Sequence, residues 1–408
     1  MKITMMRPSY RPELSGGTHL AIDLVEDFIK AGHEIEVVTP ISSKFEAFVD
    51  EDQDECKIHR VTSRFNKGDV LSRILRYIDI SYKMYSTAKK IDADIIMTHS
   101  MPPLLGPLGT ILGKRKHVPV LYWEQDIVSQ SLISTGIFGK SGFKQKMMFK
   151  VAEILEKRSE KHSTHVVTIS EQFKKMHIGR GIPSNKVSVV YNWIDTNQIY
   201  HVSREENPLF AELNIPKDKF IVSYCGNLGV PQNVEIMVEA AEKLRDNNDI
   251  FFVIIGGGSR EKHIKKLVKE KNLSNLLSAP LQPLERSHYV YSIGDVGLVI
   301  GRTGTSKNGF PSKTWSIMSA EQTMIACFDL DSELCQFVRE GNCGLTVKPD
   351  SSNELAAAIL KLYSNKEKTK KMGIDARKYV EKEFCRDKAT RKIITIAERL
   401  AERKKYES

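Results

Sequence analysis

Apolar residues in this chain gather into short unbroken runs, separated by longer stretches in which they recur every three or four positions. Runs of four or five bounded by turn residues mark strands buried on both faces, and the wider spacing marks helices with one buried side. Strands are predicted at 2–6 (KITMM), 35–39 (IEVVT), 94–98 (DIIMT), 118–123, 164–169 and 187–190. Between them fall helices at 19–30, 71–88, 104–112 and 171–178, the last with Ser170 as its N-cap. Residues 41–72 are polar and mixed, and 201–218, with Pro208 and Pro216, read as a linker. The pattern then restarts. Strands are predicted at 220–224, 251–255, 296–300, 323–328 and 341–347, helices at 233–244, 259–271 and 286–293, and 352–406 is helical and highly charged.

Strand and helix alternating in this way predict two doubly wound α/β domains in tandem, a pair that buries a ligand in the cleft between them. Ligands in such sheets lie beyond the carboxyl ends of the strands. At those ends stand Ser15-Gly16-Gly17, His99, Glu124-Gln125-Asp126, Gly226-Asn227 and Gly256-Gly257-Gly258. Taken singly, each is a turn or a cap. The fullest constellation is 304–318 (GTSKNGFPSKTWSIM), which follows the strand VGLVI. A glycine-bearing loop leading through Pro311 into a helix, with Ser312 and Lys313 at the junction, suits a phosphate, and the plain alternative is a solvated loop. Neither GxGxxG nor a metal-ligand spacing occurs.

The formal charge of +10 favours anionic partners without choosing among them. No nucleic-acid recognition motif accompanies it. The six cysteines form no CxxC pair, and Cys327, Cys335 and Cys343, eight apart, read as buried positions. They suit a reducing compartment. MKITMMRPSYRPELSGG lacks the apolar core of a secretion signal, and no run reaches the ~18 apolar residues of a membrane helix, so a cytoplasmic protein is expected. Residues 136–162 are basic and partly amphipathic, with Lys140, Lys144, Lys146, Lys150, Lys157, Arg158 and Lys161 against Glu153, Glu156 and Glu160. That composition suits an anionic lipid surface or a charged surface helix.

In their order and spacing these pieces resemble glycosyltransferase family four, the retaining enzymes of GT-B fold. The resemblance rests on Ser15-Gly16-Gly17, GHEIEVVT at 32–39, VTIS at 167–170, VVYNWID at 189–195, YCGNLG at 224–229, IGGG at 255–258, Gly294-Asp295-Val296 and FPSKT at 310–314, and so spans nearly the whole chain. The Pro-Ser-Lys variant resembles the branch that builds bacterial capsule, O-antigen (lipopolysaccharide) or exopolysaccharide. There are departures. Where the family has two glutamates, this chain has Asn308 and Ser316, and where it has an arginine and a lysine after the first strand of the second domain, Asn227 and Gln232 stand. The missing positive charge then falls to Lys313, with Arg302 and Lys307 as lesser candidates.

The resemblance implies two Rossmann-like domains facing a central cleft: an acceptor domain over 1–200, joined by a terminal helix at 386–408, and a nucleotide-sugar domain over 207–385. It implies transfer of a hexosyl or N-acetylhexosaminyl group, with retention, from a nucleotide diphosphate sugar, UDP before GDP, to a lipid-linked or saccharide acceptor. Lys313, Asp126, Glu124 and His99 are the catalytic candidates. Gly16, Gly17, Gly226, Asn227, Gly257, Gly258, Phe310, Pro311, Ser312, Lys313 and Ser316 are the donor-binding ones, and the acceptor enters past Gly16, Gly17, His99 and Asp126. No metal or cofactor is expected, nor any nucleic acid. The expected location is cytoplasmic, peripheral on the inner leaflet of the membrane. The alternatives are a catalytically weak homologue that binds a partner or lipid, and a UDP-sugar 2-epimerase of the same fold.

Overall fold

The computed structural model describes all residues except 14–16, 42–55, 66–69, 128, 130–142, 308–309 and 408. The chain divides into two compact units, Met1–Asn192 with Asp387–Ser408, and Trp193–Arg386.

Seven parallel strands form the sheet of the first unit: β1 (Lys2–Met6), β2 (Glu34–Pro40), β3 (Lys57–Val61), β4 (Ile95–His99), β5 (Val120–Trp123), β6 (His165–Thr168) and β7 (Val187–Val189), in the order β3-β2-β1-β4-β5-β6-β7. The helices are α1 (Thr18–Lys30), α2 (Val70–Ala88), α3 (Leu105–Lys116), α4 (Phe143–His162) and α5 (Glu171–Gly179). One face of the sheet, through Met6, Val38, Val61, Ile96 and Val120, packs on Met84, Leu105 and Leu112 of α2 and α3. Ser170 caps α5 as expected, its hydroxyl accepting the Phe173 N–H. The strand β3 was not predicted. Its sequence, KIHRV, has one fully buried residue, because β3 is the edge of the sheet and carries no apolar run.

The second unit contains α6 (Leu209–Glu212), β8 (Phe220–Asn227), α7 (Glu235–Lys243), β9 (Ile250–Gly257), α8 (Glu261–Glu270), β10 (Leu276–Ala279), α9 (Ser287–Tyr291), β11 (Val296–Ile300), α10 (Lys313–Ser319), β12 (Thr323–Cys327), α11 (Glu333–Glu340), β13 (Gly344–Val347), α12 (Ser352–Tyr363) and α13 (Lys366–Glu383). Its six-stranded sheet runs β10-β9-β8-β11-β12-β13. Alternate residues of β8 serve opposite cores: Val222 and Tyr224 join Leu298, Met237 and Ile359, while Ile221 and Cys225 join Phe210, Val290 and Ile293. Here too the strand that was not predicted, β10, is an edge.

The second unit begins at Trp193 rather than after residue 200, because 193–199 is fastened to its far end. Ile194 N–H bonds Phe384 O at 3.1 Å, and Arg377 donates to Thr196 O and Ile199 O, each at 2.9 Å. The final helix, α14 (Arg386–Glu407), has Asp387 onward in the first unit, where Lys392 Nζ donates to Val189 O at 2.8 Å and Glu398 pairs with His33 at 3.0 Å.

At the head of β13, Gly344 has φ +154°, and a Cβ there would lie 1.8 Å from the Met324 carbonyl oxygen. The obstacle is backbone, so nothing can move aside. Gly344→Ala is therefore expected to destabilise the second unit by about 2–4 kcal/mol, read as a lower melting transition, whereas Gly179→Ala, with open space around it, leaves that transition in place.

Candidate functional site

In the second unit β8 and β9 run out together. Gly226 pairs with Gly256 and Asn227 with Gly257. A Cβ on Gly256 would meet Gly226 O at 2.3 Å, and one on Gly258, where φ is +146°, would meet Asn227 Oδ1 at 2.5 Å and Leu228 O at 2.8 Å. Bonds from Leu228 N to Gly257 O (2.9 Å) and from Arg260 N to Leu228 O (2.8 Å) lock the two ends. The carboxyl edge over Gly226, Asn227, Gly257 and Gly258 is thus nearly bare backbone.

Lys313, at the start of α10, reaches back to this edge. Its Nζ lies 3.6 Å from the centre of the Tyr224 ring, and a Cβ on Gly226 would stand 3.3 Å from it. The ammonium nitrogen is buried and has no hydrogen-bond partner among the described residues. Burial pulls its pKa down to about 7, with the Cys225 sulfur a small opposing influence. Ring stacking fixes both flanks of the motif: Phe310 lies on Trp315 at 5.0 Å and Trp315 on Phe384 at 3.9 Å. Pro311 is half-buried. Ser312 precedes α10 but its side chain caps nothing, and it is exposed. Ser316, one turn on, shares a hydrogen bond with the Tyr291 hydroxyl.

The loop entering the motif is pinned by two carboxylates that the sequence did not single out. Asp329 accepts the N–H groups of Gly304 and Ser306 and the Ser306 hydroxyl, and Asp350 accepts the N–H and hydroxyl of Thr303. Arg302 is engaged nearby, donating to Val230 O at 2.8 Å and Asn233 Oδ1 at 3.2 Å. Asn308 and the Lys307 side chain lie outside the described residues.

In the first unit, His99 ends β4 and is buried. Its Nδ1 accepts the Met101 N–H at 3.1 Å, which makes Nε2 the protonated nitrogen. Burial, and then the charge of Arg7, hold His99 well below its ordinary pKa, so it is a neutral donor. Gly17 has φ +77° at the head of α1, while Gly16 lies outside the described residues.

Glu124 and Asp126, adjacent candidates, part company. Asp126 is exposed, whereas Glu124 is wholly buried. Glu124 accepts from His177 at 2.6 Å and from the Thr168 hydroxyl at 3.3 Å. His177 also lies 3.3 Å from Glu160, and Arg180 bonds Glu160 at 2.5 Å and pairs with Glu156 at 3.6 Å. Glu156 in turn accepts the N–H and hydroxyl of Ser129, both at 2.7 Å. The segment bearing Asp126 is therefore anchored at Glu124 and at Ser129. Against desolvation, the two carboxylates raise the His177 pKa to about 10. Glu124, Glu160 and His177 converge as metal ligands would, and here they meet one another directly, His177 bonding Glu124 and lying beside Glu160.

The same network sets the orientation of α4. Glu156 and Glu160 face inward, and α4 turns outward Lys146, Met147, Lys150, Val151, Ile154, Lys157 and Arg158. Residues 136–142 lie outside the described residues.

A family model for Glycosyltransferase Family 4 matches residues 14–198, and one for glycosyl transferases group 1 matches 205–379. The chain belongs to glycosyltransferase family 4 and is a glycosyltransferase of GT-B fold. It is similar to an Escherichia coli (strain K12) protein named as a colanic acid biosynthesis glycosyl transferase, WcaI, with 24% identity covering 97% of this chain and 99% of that one. It is also similar to a Pseudomonas aeruginosa protein named as a glycosyltransferase, WbjE, at 23% identity over 72% of this chain and 73% of that one. Among solved structures it superposes on sucrose-phosphate synthase from Thermosynechococcus elongatus (TM-score 0.78, 17% identity, 98% of each chain). It likewise superposes on HepE of Anabaena in complex with UDP (TM-score 0.74, 17% identity, 97% of this chain and 99% of that one). The chain is thus related to enzymes of polysaccharide biosynthesis.

His177→Gln leaves Glu124 and Glu160 facing each other without the cation between them, and is expected to cost about 3 kcal/mol. A pKa raised on folding means that the contribution of His177 is complete below pH 6.5 and is lost as pH rises towards 10. Denaturation at intervals across that window should show wild-type stability declining with a component that His177→Gln lacks.

Proposed function

We propose that the chain transfers a hexosyl or N-acetylhexosaminyl group, with retention of configuration, from a nucleoside diphosphate sugar to a saccharide or lipid-linked acceptor in the building of bacterial surface polysaccharide. The observation that carries this is Lys313: a buried ammonium with no counter-ion among the described residues, set against a strand edge built largely of glycine. A diphosphate supplies the missing charge, and the bare backbone at Gly226, Gly257 and Gly258 lets it approach. As the glycosidic bond breaks, negative charge collects on the leaving phosphate, and Lys313 stabilises it most at that moment. Ser312, with its hydroxyl uncommitted to the helix, offers a second donor.

On this reading the acceptor is met by the first unit. Its hydroxyl attacks on the face the phosphate leaves, and the departing phosphate oxygen takes the proton. Asp126 orients the acceptor hydroxyl, and His99, a neutral donor through Nε2, bonds a sugar oxygen. Glu124 acts beneath them by holding the Asp126 segment. UDP, the nucleotide in the HepE complex, is the first donor to try. No helix among the described residues is long and apolar enough to cross a membrane. The basic and apolar outer face of α4 supports a peripheral contact with anionic lipid on the cytoplasmic side.

Lys313→Met tests the donor site. It removes a buried charge that no described residue compensates, so the unliganded variant is expected to melt at or above the wild-type temperature. The rise in melting temperature given by UDP-sugars should vanish, and turnover should fall by about 10²-fold or more. Unchanged nucleotide binding would refute the assignment; tight binding by the wild type without turnover on any acceptor would favour the catalytically weak homologue. For the membrane face, Lys150→Glu with Lys157→Glu is expected to abolish co-sedimentation with phosphatidylglycerol vesicles while leaving the UDP response intact.

A further inference from the structure

The first unit holds a buried cation that the scheme above does not use. Arg7 follows β1 directly and is 2% exposed. Its N–H bonds Val38 O at 3.0 Å, extending the β1–β2 ladder. One step past the Met6↔Val38 and Met6↔Thr98 pairs, Arg7 comes level with Thr39 and His99. Thr39 pairs with Arg60, and His99 with Trp123. Residues level in a parallel sheet share a face, so Arg60, Thr39, Arg7, His99 and Trp123 form one row at the carboxyl edge.

The row is rich in donors and poor in negative charge. Arg7 Nη2 donates to Gly17 O at 3.0 Å, and the guanidinium carbon lies 4.8 Å over the Trp123 ring, but Nε and Nη1 are buried without partners. Arg60 repeats the arrangement: Nη2 donates to Arg11 O at 3.1 Å, while Nε and Nη1 have no partner. Among the described residues no carboxylate pairs with either guanidinium. Burial lowers Arg7 to about 9, which leaves it protonated at neutral pH. At the head of α1, Gly17 provides no side-chain cap and the first turn holds no acidic residue, so the positive end of the helix dipole meets no carboxylate of its own first turn.

A desolvated guanidinium is retained where a counter-charge meets it, and its planar fork matches two oxygens of one oxyanion. We propose that Arg7, with Arg60 and the head of α1, is a subsite for an oxyanion carried by the acceptor, either a phosphate of a lipid diphosphate or the carboxylate of a uronic acid. The assignment to the acceptor rests on reading the first unit as the acceptor domain; the oxyanion site itself does not.

The experiment uses the full chain carrying Lys313→Met, which removes the second unit's unpaired cation. Inorganic pyrophosphate and glucuronate are titrated separately by calorimetry, with no nucleotide present. One of them is expected to bind with 1:1 stoichiometry, pyrophosphate pointing to a lipid diphosphate and glucuronate to a uronic acid. Adding Arg7→Lys, which keeps the charge and loses the fork, should weaken that binding at least tenfold, and Arg7→Met should abolish it. If Arg7→Met fails to fold, Arg7→Lys decides alone. Binding of neither anion, or equal binding with Arg7→Lys, overturns the subsite. In the wild-type chain, saturating UDP-glucose should displace any anion held at Lys313 and leave one equivalent bound; loss of that last equivalent would overturn the assignment to the acceptor. Failure of the donor reading shows only in the Lys313 comparison, so the two failures are distinct.

Discussion

An ammonium taken out of water must find a counter-charge, and among the described residues of its own unit Lys313 has none. The Tyr224 ring face and the Cys225 sulfur relieve it in part, and its proton affinity falls. The surrounding structure is spent on keeping that unfavourable arrangement in place. The stack through Phe310, Trp315 and Phe384 holds the motif, Asp329 and Asp350 hold the loop that leads into it, and the glycines at the ends of β8 and β9 keep other side chains away. On the proposed reading, stability is given up locally so that a lysine already in position meets an incoming anion.

The first unit solves the opposite problem. There four buried charged groups and the half-buried Arg180 stand together, three carboxylates against two cations. The cluster of Glu124, Glu156, Glu160, His177 and Arg180 ties the end of β5 to α4 and α5, and what it presents outward is Asp126. One arrangement leaves a cation unpaired among the described residues, while the other sets its charges against one another.

Much of this was legible in the sequence, for physical reasons. Strands interior to a parallel sheet are apolar on both faces and announce themselves, whereas edge strands such as β3 and β10 do not. The glycines and Lys313 stood out because bare backbone and a cation after a strand have few structural uses. Arg7 was passed over because it follows the apolar run of β1 and reads as the first residue of a loop; only the register shows it level with His99. Glu156 and Glu160 were counted among the charges of a surface helix, since nothing local reveals that His177 and Arg180, a helix away, turn them inward. Asp329 and Asp350 act on residues 304–306 and 303 across long separations, which no spacing rule reports.

The central claim is that the charge missing around Lys313 arrives with a diphosphate, and proton uptake on binding tests it most directly. A free pKa near 7 leaves Lys313 largely neutral at pH 8, and a bound diphosphate recharges it. Calorimetry of UDP-glucose binding at pH 8, repeated in buffers of different ionisation enthalpy, should show on the order of one proton taken up per molecule bound. Lys313→Arg, charged throughout, should bind without that uptake. Binding with no proton uptake in the wild type, or with equal uptake in both, would contradict the account.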